Sequence, residues 1–261
     1  MTAQAENVAA SITNNASFNC IASKMLITCE QWPQRERFLD RVNQVLERTP
    51  LRYAYYPGAA DRFERFTDGR TGPDDQGRLP WTLRRGVTPE SEPHLFEEES
   101  FVCVAGETAL DAADPAAFLD QAVDFANERL WGTLAAALTV PHAFARRHGP
   151  VLEAALARLR YGTIGVNLWP GVGYALMSTP WGGYPETTLD SVGSGIGFVH
   201  NTFLLDRPQK SILRAPLTMF PKPVWFSTNR RAAAISWKLA AMYGRPSFFN
   251  FVKLIGEALR G

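Results

Sequence analysis

The stretch Asn14-Asn15-Ala16-Ser17-Phe18-Asn19-Cys20-Ile21-Ala22-Ser23-Lys24 holds the residue best suited to chemistry. A thiolate is a strong nucleophile, and backbone N–H groups in a tight segment can stabilise both it and an oxyanion formed on its target. Read locally, Cys20 is either such a nucleophile or a small core residue. The acidic run Glu97-Glu98-Glu99 is either a solvated loop or a set of acceptors for hydroxyl groups. Gly193, Gly195 and Gly197 have the spacing of a phosphate cradle. No strand enters them and no clear helix leaves, so they fail the context that a dinucleotide-binding turn requires. His94, His142, His148 and His200 are scattered, no CxxC pair occurs, and no metal site is expected. Cys29 and Cys103 sit in apolar, strand-like surroundings and are read as structural.

These residues need a scaffold, and 261 residues with 46% hydrophobic and 20% charged side chains can build one. A net charge of +1 gives no reason to expect nucleic acid as a partner. Three cysteines without close pairing suggest a reducing, cytoplasmic setting. No signal peptide is read at the polar N-terminus, and no run of about 18 apolar residues is long enough to span a membrane.

Apolar positions at helical spacing over residues 6–19 predict a helix that ends at Cys20, followed by a buried strand over Met25–Thr28. Pro33 opens a helix over 33–48 with Phe38, Leu39, Val42, Val45 and Leu46 on one face. Residues 50–80 read as irregular, with a short helix from Ala59 to Phe66. Strands are expected over 79–87, 101–105, 134–140 and 163–167, and helices over 115–130 and from Pro141 toward Arg160. This alternation argues for an α/β layer with a largely parallel sheet. Residues 170–197 read as irregular. Residues 210–226 carry β-compatible residues broken by Pro216, Pro221 and Pro223, which suits an edge strand. Two helical patterns follow, with six basic residues (Arg230, Arg231, Lys238, Arg245, Lys253, Arg260) against Glu257.

Four blocks, in order, resemble the C-terminal, catalytic half of the aldehyde dehydrogenase superfamily. They are Ser17-Phe18-Asn19-Cys20-Ile21-Ala22, then Glu98-Glu99-Ser100-Phe101, then Ala122–Asn127 with Trp131-Gly132-Thr133-Leu134. The last is Gly162–Asn167 with Pro180-Trp181-Gly182-Gly183 and Ser194-Gly195-x-Gly197. The match runs over about residues 6–225.

The resemblance implies an α/β, parallel-sheet catalytic domain over 1–205, a C-terminal oligomerisation edge strand within 206–228, and a basic helical tail over 229–261. It implies NAD(P)-dependent oxidation of a small-molecule aldehyde to a carboxylic acid, through a thiohemiacetal and a thioester on Cys20. Glu99 would contact the nicotinamide-side ribose, Phe101 the nicotinamide region, and Asn167 would support loops near the substrate. The sequence departs from the family at Ser17-Phe18 for Gly-Gln, Met25 for Arg, and Val102-Cys103 for Gly-Pro. In the family the dinucleotide-binding half, the general-base Glu and a side-chain oxyanion Asn precede the nucleophile. Nineteen residues precede Cys20 here. The chain is therefore read as about half of such an enzyme, inactive or nearly so by itself. Self-association or a complementary N-terminal half is the expected partner, and a membrane is not. The rival reading is a non-catalytic partner subunit.

Overall fold

Asp114-Pro115 starts a helix as its chemistry demands. The Asp114 carboxylate accepts from the N–H groups of Ala116 (2.8 Å) and Ala117 (3.0 Å), and Pro115 fills the first turn. The computed structural model describes residues 1–185 and 187–261. Its elements in chain order are α1 (Thr2–Thr13), β1 (Met25–Cys29), α2 (Arg35–Arg48), β2 (Arg52–Tyr53), α3 (Ala59–Thr67), β3 (Arg78–Leu79), β4 (Thr82–Arg85), α4 (His94–Glu97) and β5 (Val104–Leu110). There follow α5 (Pro115–Arg129), β6 (Ala135–Leu138), α6 (His142–Arg147), α7 (Gly149–Arg158), β7 (Thr163–Val166), α8 (Gly171–Leu176), β8 (Ser211–Arg214), α9 (Ala232–Gly244) and α10 (Phe248–Ala258).

Two parallel sheets carry the fold, as the alternation predicts. One has the order β1-β5-β4, with Ile27 opposite Thr108 and Leu83 opposite Ala105. The other has the order β6-β7-β8, with Ile164 opposite both Ala136 and Ile212. The α2 stripe Phe38, Leu39, Val42, Val45 and Leu46 is buried against Ala5, Ala9 and Ile12 of α1. Each such side chain contributes about 1.5–3 kcal/mol. β5 is central in its sheet and fully buries Glu107. That carboxylate is matched by the Arg35 guanidinium at 2.8 Å to each oxygen, by the Thr28 hydroxyl and by the Gly86 N–H. A buried charge is tolerable only with such complete pairing.

Several expectations change in detail. α1 stops at Thr13, and Asn15, Ala16 and Ser17 turn left-handed (φ 50°, 58° and 66°), so Cys20 lies in a separate turn and not at a helix end. Phe101 is also left-handed (φ 48°), which delays β5 to Val104. Pro80 divides the strand expected over 79–87 into β3 and β4. Residues 170–197 include the short α8. The strand expected over 210–226 is only β8, four residues at the edge of its sheet, because Pro216 and the later prolines break the ladder. The C-terminal segment forms α9 and α10 as read. Among the described residues, no helix is long and apolar enough to cross a membrane.

Glycines allow the later blocks to touch. A Cβ on Gly162, just before β7, would lie 1.8 Å from the Gly182 carbonyl oxygen. The Ser194 hydroxyl accepts from the Thr133 N–H at 2.8 Å. Three segments far apart in sequence thereby meet at the N-terminal end of β7.

Candidate active site

Cys20 is exposed at the tip of a turn closed by Ala22 N–H to the Asn19 carbonyl (3.3 Å). The Asn19 side chain shapes that turn from both ends. Its Oδ1 accepts from the Ile21 N–H (3.0 Å), and its Nδ2 donates to the Asn14 carbonyl (2.8 Å). Trp169 Nε1 donates to the Ile21 carbonyl at 2.9 Å, and Ser23 N–H to Ser11 O at 3.0 Å. On the other flank, the Phe18 carbonyl accepts from Asn15 Nδ2 (3.0 Å) and the Tyr55 hydroxyl (3.2 Å), and the Phe18 ring meets Tyr55 and Tyr56 edge-on. Three consecutive left-handed residues without glycine cost about 1–3 kcal/mol each. This web of bonds is what holds them.

Lys24 joins the cysteine turn to the loop that carries Glu99. Its Nζ donates to the Ser17 carbonyl (3.0 Å), the Ser17 hydroxyl (2.8 Å) and the Val102 carbonyl (2.9 Å). Burial pulls its pKa down to about 8, with the nearby Glu99 charge opposing. Every carbonyl from residue 99 to 102 has a donor. Arg62 serves Glu99 O and Ser100 O (2.6 Å to the latter), Tyr56 Oη serves Phe101 O (2.9 Å), and Lys24 serves Val102 O.

That loop borders an open cleft of about 600 Å³, lined by Tyr56, Arg62, Glu97, Glu98, Glu99, Phe101 and Trp131. Glu99 is partly buried, and burial raises its pKa against the opposing charges of Lys24 and Arg62. Among the described residues its carboxylate accepts no hydrogen bond, so its acceptor sites are unused within the chain. Glu98, by contrast, is taken up by Arg65 at 2.7 Å and 2.8 Å. The Glu99 charge also acts on Cys20, whose thiol is pushed above its ordinary pKa first by partial desolvation within the turn and then by this carboxylate. Glu99 and Phe101 line the cleft; Cys20 does not line it but lies within electrostatic reach of Glu99.

Cys103 is buried, its pKa raised to about 11 by desolvation, and its thiol points to Ala16 O at 3.6 Å. The Cys29 thiol points to Ala112 O at 3.7 Å. Asn167 is buried and left-handed (φ 65°). Its side chain accepts from Val140 N–H (2.7 Å) and donates to Val140 O (3.0 Å) and Ala215 O (3.2 Å), tying the ends of β6, β7 and β8 together. Gly193, Gly195 and Gly197 all have positive φ in an irregular loop. Among the described residues there is no cluster of three metal-ligating side chains. Sequence reasoning gave Lys24 and Arg62 no role and named Trp131 only within a matching block. Nothing near Lys24 or Arg62 in sequence signals a role, since each also bonds to residues distant in the chain.

No family model matches the chain. A sequence comparison with curated proteins finds no match. Solved structures do resemble it. The chain is 22% identical to an indole-3-acetaldehyde dehydrogenase complexed with NAD+, with a TM-score of 0.56, over 70% of this chain and 38% of that one. An NAD-dependent aldehyde dehydrogenase from Sinorhizobium meliloti gives 20% identity and a TM-score of 0.54, over 70% and 37%. An aldehyde dehydrogenase from Mycobacterium tuberculosis complexed with NAD+ gives 16% and 0.55, over 70% and 38%. At these identities the likeness is one of fold. The chain has the α/β fold of part of an aldehyde dehydrogenase and spans well under half the length of the chains it matches.

Proposed function

We propose that this chain supplies the catalytic half of an aldehyde dehydrogenase, with Cys20 as nucleophile. The observation that supports this most is the exposed Cys20 residue on a turn held by Asn19, Trp169 and Lys24, within electrostatic reach of the unused carboxylate of Glu99. Cys20 attacks the aldehyde carbonyl to give a thiohemiacetal, and loss of hydride leaves a thioester that water hydrolyses to the acid. The Cys20 N–H is one donor for the oxyanion. Because the thiol is raised in pKa, it needs a further group to take its proton near neutral pH.

NAD or NADP supplies the hydride acceptor when bound. Its nicotinamide end is assigned to the cleft, where Glu99 offers free acceptors for ribose hydroxyls and Phe101 and Trp131 are lining aromatic residues. Arg62 and Tyr56 keep that loop in shape. The rest of the cofactor and the base for deacylation are assigned to a complementary half of the enzyme. β8 lies at a sheet edge with β7 as its only strand partner among the described residues, and it is assigned to pairing with another chain or segment.

The test is to supply a complementary cofactor-binding half, trap the acyl-enzyme from an aldehyde, and map it by mass spectrometry. Acylation at Cys20, lost in Cys20→Ala, is expected. Acylation at Cys29 or Cys103 with Cys20 unmodified would overturn the assignment.

A further inference from the structure

We propose that the α9–α10 hairpin is a docking surface for an anionic lipid bilayer and lies flat on it. The hairpin is well built but poorly covered. Ser247 caps α10 by accepting from Asn250 N–H (3.2 Å), and Asn250 Nδ2 closes the tip on Arg245 O (2.9 Å). Arg231 meets Glu257 at 2.5 Å and ties the two open ends together. The base is fixed to the body through Asn229, whose Nδ2 donates to Lys222 O (3.0 Å), and through Lys222 to Glu6 (3.2 Å). A defined shape is therefore presented outward.

What it presents is apolar. No residue of α10 is buried, and Ile235 is the one buried residue of α9. Phe248 is 82% exposed, Tyr243 79%, Trp237 77% and Phe249 66%. Four large aromatic side chains this exposed on one helical hairpin mark a surface that meets another.

Charge selects the cover. Residues 230–261 carry six basic side chains and the single acid Glu257. Glu257 pairs with Arg231 and, at 3.9 Å, Arg260. Arg245 and Lys253 are exposed and Lys238 is half-buried on the same two-helix unit, and the Lys253 ammonium lies 4.0 Å from the Phe249 ring centre. A second copy docked face to face would set these cations against themselves. Anionic headgroups would neutralise them while the rings enter the acyl boundary, and aromatic plus basic residues at one level is the pattern of interfacial helices. At 13 and 11 residues, the helices reach about 20 Å and 16 Å, short of the roughly 30 Å hydrocarbon core, so they lie on the bilayer and do not cross it.

The experiment is co-sedimentation of the full chain with vesicles of equal parts phosphatidylcholine and phosphatidylglycerol, and with pure phosphatidylcholine vesicles, at low and high salt. Binding to the anionic vesicles is expected, weakened several-fold by high salt and by removal of phosphatidylglycerol. Phe248→Ser with Phe249→Ser should weaken it about tenfold or more, and Lys238→Glu with Lys253→Glu should remove the lipid preference. Circular dichroism checks that both variants stay folded; Phe248, Phe249 and Lys253 are exposed in the parent and Lys238 is half-buried. A chain left in the supernatant with anionic vesicles at low salt would overturn the proposal, as would equal binding to neutral vesicles. So would a vesicle-free dimer that the phenylalanine substitutions convert to monomer, because the face would then be a protein interface.

Discussion

The turn around Cys20 and the α9–α10 hairpin both offer side chains to solvent, by opposite constructions. At the turn one thiol is exposed, and the short-range bonds that shape the backbone are joined by bonds to residues far away in the chain, Tyr55, Val102 and Trp169. In the hairpin, hydrogen bonds are local, within the helices and across the tip, and the apolar side chains are left open. A site that must hold one atom in place needs long-range bonds and tolerates strain. A surface that must meet another surface needs only shape, and its stability depends little on any one side chain.

Substitutions sharpen this contrast. Lys24→Met should have the largest effect, about 1–3 kcal/mol, because Ser17 O and Val102 O lose a buried donor. Denaturant unfolding measures it. The same lysine has a pH signature. Its folded pKa is about 8 and its ordinary value 10.5, so between those values the unfolded chain binds more protons. Stability from this group therefore rises with pH across that window and is lost again as pH falls toward 8. A thermal melt series at pH 8 to 10.5 should show the slope in the parent and a flatter one in Lys24→Met.

Tyr56→Phe should cost about 0.5–1.5 kcal/mol, since the Phe101 carbonyl loses its donor while the rings against Phe18 and Phe101 remain. The same unfolding curves report it, and an unchanged midpoint would mean that the Phe101 bend holds by itself. Phe249→Ala in α10 should stay within about 0.5 kcal/mol of the parent, the smallest change of the set. A loss above about 2 kcal/mol would show the hairpin to be part of the core.

The scaffold was legible where a local rule was enough. The apolar stripe of α2 and the Asp114-Pro115 start of α5 identify those helices from a few adjacent residues. Cys20, Glu99 and Phe101 could be picked out because each sits in a short recognisable block. The kink at Asn15–Ser17 could not, because no glycine marks it and distant partners impose it. Lys24 looks like an ordinary surface residue until Ser17 and Val102 are brought to it. The strand at 211–214 was overextended because β-compatible residues continue past Arg214 while prolines end the ladder.

The central claim, that the turn presents Cys20 to an aldehyde, is tested most directly by mapping iodoacetamide alkylation of all three cysteines across a pH series, with and without a small aldehyde. Cys20, the exposed cysteine, should react first, at a rate that keeps climbing above the ordinary thiol pKa because partial desolvation and the Glu99 charge raise its own. Cys103 should react last. The aldehyde should slow Cys20 alone, in a saturable way. Modification of Cys29 ahead of Cys20, or a Cys20 rate indifferent to aldehyde, would contradict the account.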